Sequence, residues 1–239
     1  MINSPQNPLI KHVVKLQEKR SYRRDHREAI VEGVKIIREL QNVKTLLVSD
    51  ESLIPENVNA EKIIPVSESV MKKICRTKSP EGIAAIVDMP PDSSLDKKSK
   101  ILALDGIGDP GNLGTLLRTA LAFGWEGVYL LESCCDPYNE KALRAAKGAT
   151  FKLPLTQGSL HDFIPFCKKN EFQILIADLS GTPPEKIKPS EKRLLVLGSE
   201  SEGISKEIAA LGEAVSLPMA KTMESLNVAV AGGILMHSL

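Results

Sequence analysis

The chain has 239 residues and a formal net charge of +1, from 31 lysines and arginines against 30 aspartates and glutamates. It is 42% hydrophobic and 26% charged, a globular balance that excludes wholesale disorder and low-complexity architecture. A net charge so near zero removes the simplest argument for a nucleic-acid partner, a strongly basic chain, although charge can be unevenly distributed.

In chain order, a basic helix is expected first, running through about residue 20. Lys11, Lys15 and Lys19 lie four apart on one of its faces, and Arg20, Arg23, Arg24 and Arg27 extend the charge. Such a stretch is either a solvated helix face or a patch that contacts phosphates. Residues 29–33 read as a short strand, 34–40 as a helix, 45–48 as a strand, 68–74 as a short helix and 83–87 as a strand. This alternation predicts a parallel or mixed sheet. Residues 89–100, Met-Pro-Pro-Asp-Ser-Ser then Leu-Asp-Lys-Lys-Ser-Lys, form a polar linker. The chain therefore divides into domains at 1–95 and 96–239. Residues 1–99 carry a net +3 and residues 100–239 a net −2, so the near-neutral total conceals a basic N-terminal part.

The second domain alternates more clearly. Strands are expected at 101–104, 127–131, 174–177, 194–197 and 214–217, with helices at 112–123 and 226–236. Continuous apolar strands imply an α/β domain whose sheet is covered on both faces. No apolar run reaches the roughly 18 residues of a membrane span. The basic start lacks the apolar core of a signal peptide. Four scattered histidines give no zinc spacing, and four cysteines without a Cys-x-x-Cys pair give no disulfide framework. The expectation is a cytoplasmic protein without a metal site and without a catalytic thiol at Cys134-Cys135.

Three glycine-rich turns carry the chemistry. The first, Asp105-Gly-Ile-Gly-Asp-Pro-Gly-Asn-Leu-Gly114, contains a formal dinucleotide spacing at Gly106, Gly108 and Gly111, with Glu132 ending the next strand. Asp109 would put a carboxylate where a pyrophosphate needs positive potential, and Pro110 removes a donor. A nicotinamide-dependent oxidoreductase is therefore the weaker reading. Asp109-Pro110 instead opens a helix, with Asn112 near its cap. Arg118, among apolar neighbours, is either a structural ion pair with Asp105 or Glu200 or a guanidinium aimed at a substrate phosphate. The second turn, Leu197-Gly-Ser-Glu-Ser-Glu-Gly-Ile204, suits hydroxyls or a cationic ligand better than a phosphate. The third runs from Leu217-Pro-Met219 to Ser225-Leu-Asn-Val-Ala229. Ser225 can cap the last helix; Asn227 is poorly placed to do so.

Together the three segments, in this order and spacing, resemble the SpoU-type branch of the SPOUT superfamily of RNA methyltransferases. The start Asn3-Ser-Pro-Gln-Asn-Pro-Leu-Ile-Lys11, with Val31-Glu-Gly33, is similar to the substrate-recognition domain often fused in that family, which has an L30e/L7Ae-like fold. The resemblance implies a catalytic domain with a deep trefoil knot, S-adenosylmethionine as methyl donor, a homodimer with active sites at the interface, and 2′-O-methylation of a ribose in RNA. Ribosomal RNA is favoured over transfer RNA.

The matching positions imply roles for Asn112, Arg118, Glu200, Ser225 and Asn227 in catalysis, with Arg118 at the place of the catalytic arginine. They imply adenosylmethionine binding by Leu197, Gly198, Gly203, Leu217, Met219, Ser225 and Leu226. Lys11, Lys15, Lys19, Arg20, Arg23 and Arg24 would bind RNA. Arg118 is either the base, through an unusual environment, or an electrostatic stabiliser of the developing alkoxide. A non-catalytic RNA-binding protein would have no need of the five catalytic positions together.

Overall fold

The computed structural model describes residues 1–75, 79–188, 190–199, 202–220, 222 and 224–239. They fall into two units, Met1–Pro91 with Tyr138–Phe151, and Asp92–Pro137 with Lys152–Leu239.

Helix α1 (Pro8–Glu18) starts where the Asn7 side chain accepts the Leu9 N–H and Pro8 sets the first turn. Its apolar stripe buries Ile10, Val13 and Leu16. The helix expected through about residue 20 ends at Glu18, and a second helix that was not anticipated follows it. The backbone is extended at Lys19 (φ −119°), and α2 (Arg20–His26) follows. Arg23 of α2 is 3% exposed and its side chain reaches back to the end of α1. Its Nη1 donates to the carbonyls of Leu16 and Gln17, which the end of α1 leaves without helical partners.

Strand β1 (Glu28–Glu32), helix α3 (Val34–Arg38), strands β2 (Asn42–Val48) and β3 (Asn59–Pro65), helix α4 (Glu68–Ile74) and strand β4 (Ile83–Asp88) complete this part. The sheet order is β1-β4-β2-β3. It is mixed: β4 is antiparallel to β1 and β2, and β3 is parallel to β2. Alternation along β2 sends Leu46 and Leu47 to opposite faces. Leu47 joins Ile10, Val13, Leu16, Val70 and Ile74 in one cluster, and Leu46 joins Val31, Ile37 and Ile83 in the other.

The second unit begins with β5 (Lys100–Asp105), α5 (Pro110–Ala122) and β6 (Gly127–Leu131). Helix α6 (Glu140–Ala146) then belongs to the first unit, where Tyr138 and Leu143 pack in the cluster with Leu46. After α7 (Ala149–Lys152) come β7 (Leu155–Gly158), α8 (Leu160–Asn170), β8 (Gln173–Thr182), β9 (Arg193–Gly198), α9 (Lys206–Ala209), β10 (Glu213–Val215) and α10 (Val228–Ser238). This sheet is wholly parallel, in the order β10-β8-β9-β5-β6-β7. From β5 the chain builds outward to β6 and β7, and the later strands fill the other side. The order therefore reverses between β5 and β9, the kind of position where open α/β sheets bind ligands at the carboxyl ends of their strands.

Candidate functional site

Beyond the carboxyl ends of β8, β9 and β10 lies a cavity of about 480 Å³, within the usual range for small-molecule sites. Three loops and α10 build it. Between Ile176 and Thr182, β8 leaves the ladder while β10 advances only from Ala214 to Val215. The intervening residues bulge outward, and Ala177, Asp178 and Leu179 line the cavity. A Cβ at Gly181 would stand 2.5 Å from the Ala214 carbonyl carbon, so only glycine lets the bulge close. Asp178 Oδ1 accepts from the Ser180 N–H (2.8 Å) and hydroxyl (2.5 Å). These hydrogen bonds hold its carboxyl below the usual range, so it stays ionised at neutral pH.

After β9, Ser199 and Gly203 exchange backbone hydrogen bonds of 3.1 and 3.0 Å, with Gly203 left-handed at φ +70°. The turn is so tight that a Cβ on Gly198 would lie 2.4 Å from the Gly203 carbonyl. Asp105 ties this loop to β5: Oδ2 accepts the Ser205 N–H (2.9 Å) and Oδ1 accepts the Ser133 hydroxyl (3.3 Å).

Leu217, Met219, Ser225, Leu226, Asn227 and Val228 form the far wall, with Ala231 and Leu235 of α10. Every expected cofactor residue, Leu197, Gly198, Gly203, Leu217, Met219, Ser225 and Leu226, lines this one cavity. Asp178 and Leu179 went unanticipated, because the strand was expected to end at residue 177. The turn-like Asp178-Leu-Ser-Gly181 was the available signal.

Two capping expectations are corrected. Asp109 caps α5, accepting the Asn112 N–H at 2.8 Å, and Pro110 follows in the first turn. Asn112 is therefore inside the helix. Asn227 caps α10, its Oδ1 accepting from the N–H groups of Ala229 (3.0 Å) and Val230 (3.3 Å). Ser225 is not the cap, because the helix begins two residues later than expected. Asn227 Nδ2 then donates to Asn112 Oδ1 (3.0 Å), joining the first and third motifs. The Asp109 carboxylate at the α5 N-terminus is the group expected to disfavour a pyrophosphate there.

Arg118 is exposed on α5 and is not among the residues lining the cavity of its own chain. Asp105 is committed to Ser133 and Ser205, so that half of the ion-pair reading for Arg118 fails. Glu200 lies outside the described residues. Burial pushes the thiols of Cys75, Cys134 and Cys167 up, that of Cys167 to about 12, leaving them protonated and weakly nucleophilic at neutral pH.

In the first unit, Lys11, Lys19 and Arg24 are exposed and Arg20 is half-buried. Lys15 holds its ammonium 5.4 Å from the Tyr22 ring centroid. Arg23 is a correction: buried and bonded to main-chain carbonyls, it ties α2 to the end of α1 and has no surface to offer a phosphate. Among the described residues no helix is long and apolar enough to cross a membrane.

Residues 99–237 match the family model described as the SpoU rRNA methylase family, and residues 7–85 match the MRM3-like substrate binding domain. A 23S rRNA (guanosine(2553)-2′-O)-methyltransferase of Bacillus subtilis is 34% identical, covering all of this chain and 98% of that protein. The crystal structure of an AdoMet-bound rRNA methyltransferase from Sinorhizobium meliloti superposes with a TM-score of 0.86 at 27% identity, covering 99% of this chain and 95% of that one. A putative RNA methyltransferase of the TrmH family from Porphyromonas gingivalis gives 0.84 at 29% identity, with coverages of 98% and 97%. The chain belongs to the SpoU rRNA methylase family.

Proposed function

We propose that this protein transfers the methyl group of S-adenosylmethionine to a ribose 2′-oxygen in ribosomal RNA. The observation that carries this reading is the convergence of the second and third motifs on one cavity, hydrogen-bonded through Asn227 to the first. The Bacillus subtilis relative, named as a 23S rRNA 2′-O-methyltransferase, supports both the substrate and the position of attack.

The cavity fits the cofactor's chemistry. Leu197, Leu217, Met219 and Leu226 offer apolar walls for a base, the glycine turn offers backbone polar groups at close approach, and the ionised Asp178 suits hydroxyls or a cationic centre. Bound adenosylmethionine supplies a methyl group on an electrophilic sulfonium. No metal is needed for such a transfer, which depends on in-line approach of the ribose oxygen. In this reading the ribose hydroxyl gives up its proton to water as its oxygen takes the methyl group; Arg118 steadies the developing alkoxide and positions the backbone phosphate, while Asn112, Asn227 and Ser225 orient the elements around it.

Arg118 stands apart from its own chain's cavity, which a homodimer would resolve by supplying the residue from the second copy. The exposed apolar side chains Leu121 and Phe123 at the end of α5, with Val230 (51% exposed) and Ile234 (44%) on α10, support that face as the dimer contact. We also infer the family's trefoil-knotted path for the C-terminal segment, residues 1–95 as the RNA-recognition part, and a cytoplasmic setting, in keeping with four free cysteines. Mapping ribose-methylated positions in ribosomal RNA from cells with and without the gene tests the assignment. At least one position should lose its methyl group. An unchanged map contradicts it.

A further inference from the structure

Within α2, Tyr22 and His26, one helical turn apart, stack with ring centroids 3.9 Å apart and an interplanar angle of 30°. His12 of α1 meets both, edge-on to Tyr22 at 5.5 Å and tilted to His26 at 5.3 Å.

The group is held from beneath. His12 Nδ1 lies 3.0 Å from the Tyr22 hydroxyl, and its Nε2 lies 2.8 Å from Glu28 Oε2. Lys44 Nζ grips the other oxygen of Glu28 at 2.6 Å. His26 Nδ1 lies 3.0 Å from the Tyr22 carbonyl, fixing the outer ring as well. Tyr22 packs on the cluster that contains Ile10 and Val13, whereas His26 is exposed. The result is a short column of rings with its base in the core and its top in solvent. A core-packing role explains Tyr22 but not the exposed imidazole stacked on it.

Around this column the charge is positive on balance, although Glu18 and Asp25 are exposed on the same two helices. Lys15 lies over Tyr22, and Lys11, Lys19, Arg24 and Arg27 are exposed on the same helix pair and its end. Stacked rings within a field of ammonium and guanidinium groups are what an unpaired nucleotide requires: a π-face for the base and cations for its phosphates. A duplex hides its base faces and can use only the cations.

We propose that Tyr22 and His26 form a stacking platform for one unpaired base of the RNA, with His26 as the contact surface. This rests on the reading of the first unit as RNA-recognising and specifies what it would recognise, an unstacked nucleotide rather than a helix.

The test uses the full chain and a twelve-nucleotide single-stranded RNA carrying 2-aminopurine at its centre, compared with the same strand annealed to its complement. The unsubstituted protein should bind the single strand and quench its 2-aminopurine. His26→Ala should weaken that binding by about tenfold, relieve the quenching and leave duplex affinity and its salt dependence unchanged. His26→Trp should restore both binding and quenching. Lys11→Gln with Lys15→Gln should weaken both RNAs and lower the salt slope. Equal single-strand affinity in His26→Ala, or an equal loss on both RNAs, overturns the platform. Failure of the unsubstituted chain to bind either RNA overturns the platform and the recognition role together. Adenosylmethionine affinity, measured on every variant, reports separately on the methyltransferase reading and should not move.

Discussion

A guanidinium stays charged at any physiological pH, so what Arg118 contributes is governed by where it stands. It is exposed on α5, where a guanidinium can meet a ligand from outside its own chain's cavity. Arg118→Ala should abolish methyl transfer, while calorimetric titration with adenosylmethionine shows an affinity within about twofold of the unsubstituted protein. Normal turnover would remove Arg118 from the mechanism. Glu28 gives a prediction of a different kind. Burial opposes its ionisation, but hydrogen bonds from Lys44 and His12 outweigh this and hold its carboxyl below the ordinary 4.5. A depressed folded value stabilises the protein above the unfolded value and ceases to as pH falls through the folded one. Glu28→Gln should therefore cost about 1 kcal/mol at pH 7. The gap in melting temperature should narrow once the pH drops below 4.5; a gap just as wide at pH 3 contradicts the linkage.

Helix ends and tight turns decide how the site is assembled. Asn227→Ala removes two capping bonds from α10 and the tie to Asn112. It should cost about 1 kcal/mol of stability, with turnover falling further than cofactor affinity. Gly198→Ala would drive a Cβ to 2.4 Å from the Gly203 backbone. The turn would have to open, and adenosylmethionine binding should be lost in a chain whose circular dichroism is unchanged. These elements also mark the limits of reading the sequence. The central strands were legible because Ile101–Leu104 and Leu194–Leu197 are continuous apolar runs. Strand β3 was not, since it lies at the sheet edge with an exposed Asn-Ala-Glu-Lys start, which carries no apolar period. The end of α1 near residue 20 was legible, but α2 was not, because Arg20–His26 is polar apart from Tyr22 and shows no apolar period. Arg23 bonding back to the carbonyls of Leu16 and Gln17 is a contact invisible to residue-by-residue propensity. Asn227 was set aside as a cap through a two-residue error in the start of α10, within the ordinary uncertainty of helix boundaries.

For the whole molecule, the charge balance acquires a location. The basic excess of residues 1–99 lies with the part matching a substrate-binding domain, and the slightly acidic remainder with the part matching the methylase family. The two parts do not separate at a single point in the chain, since residues 138–151 belong with the N-terminal unit and bury Tyr138 and Leu143 there. Deleting residues 1–95 would strip that cover, so charge substitutions are the better probe of RNA binding. The apolar α5–α10 face sets a prediction at the same scale. If the proposed dimer forms through this face, Val230→Glu with Ile234→Glu should shift sedimentation from dimer to monomer and abolish turnover, because in that proposal Arg118 serves a partner's cavity. A fully active monomer refutes the dimeric site.

The most direct measurement is methyl transfer by the purified protein from tritium-labelled adenosylmethionine to unmodified ribosomal RNA, followed by digestion to nucleosides. The label should appear in a 2′-O-methylated nucleoside with the unsubstituted chain and be absent with Arg118→Ala. Label on a base, or equal label from both proteins, would contradict the account.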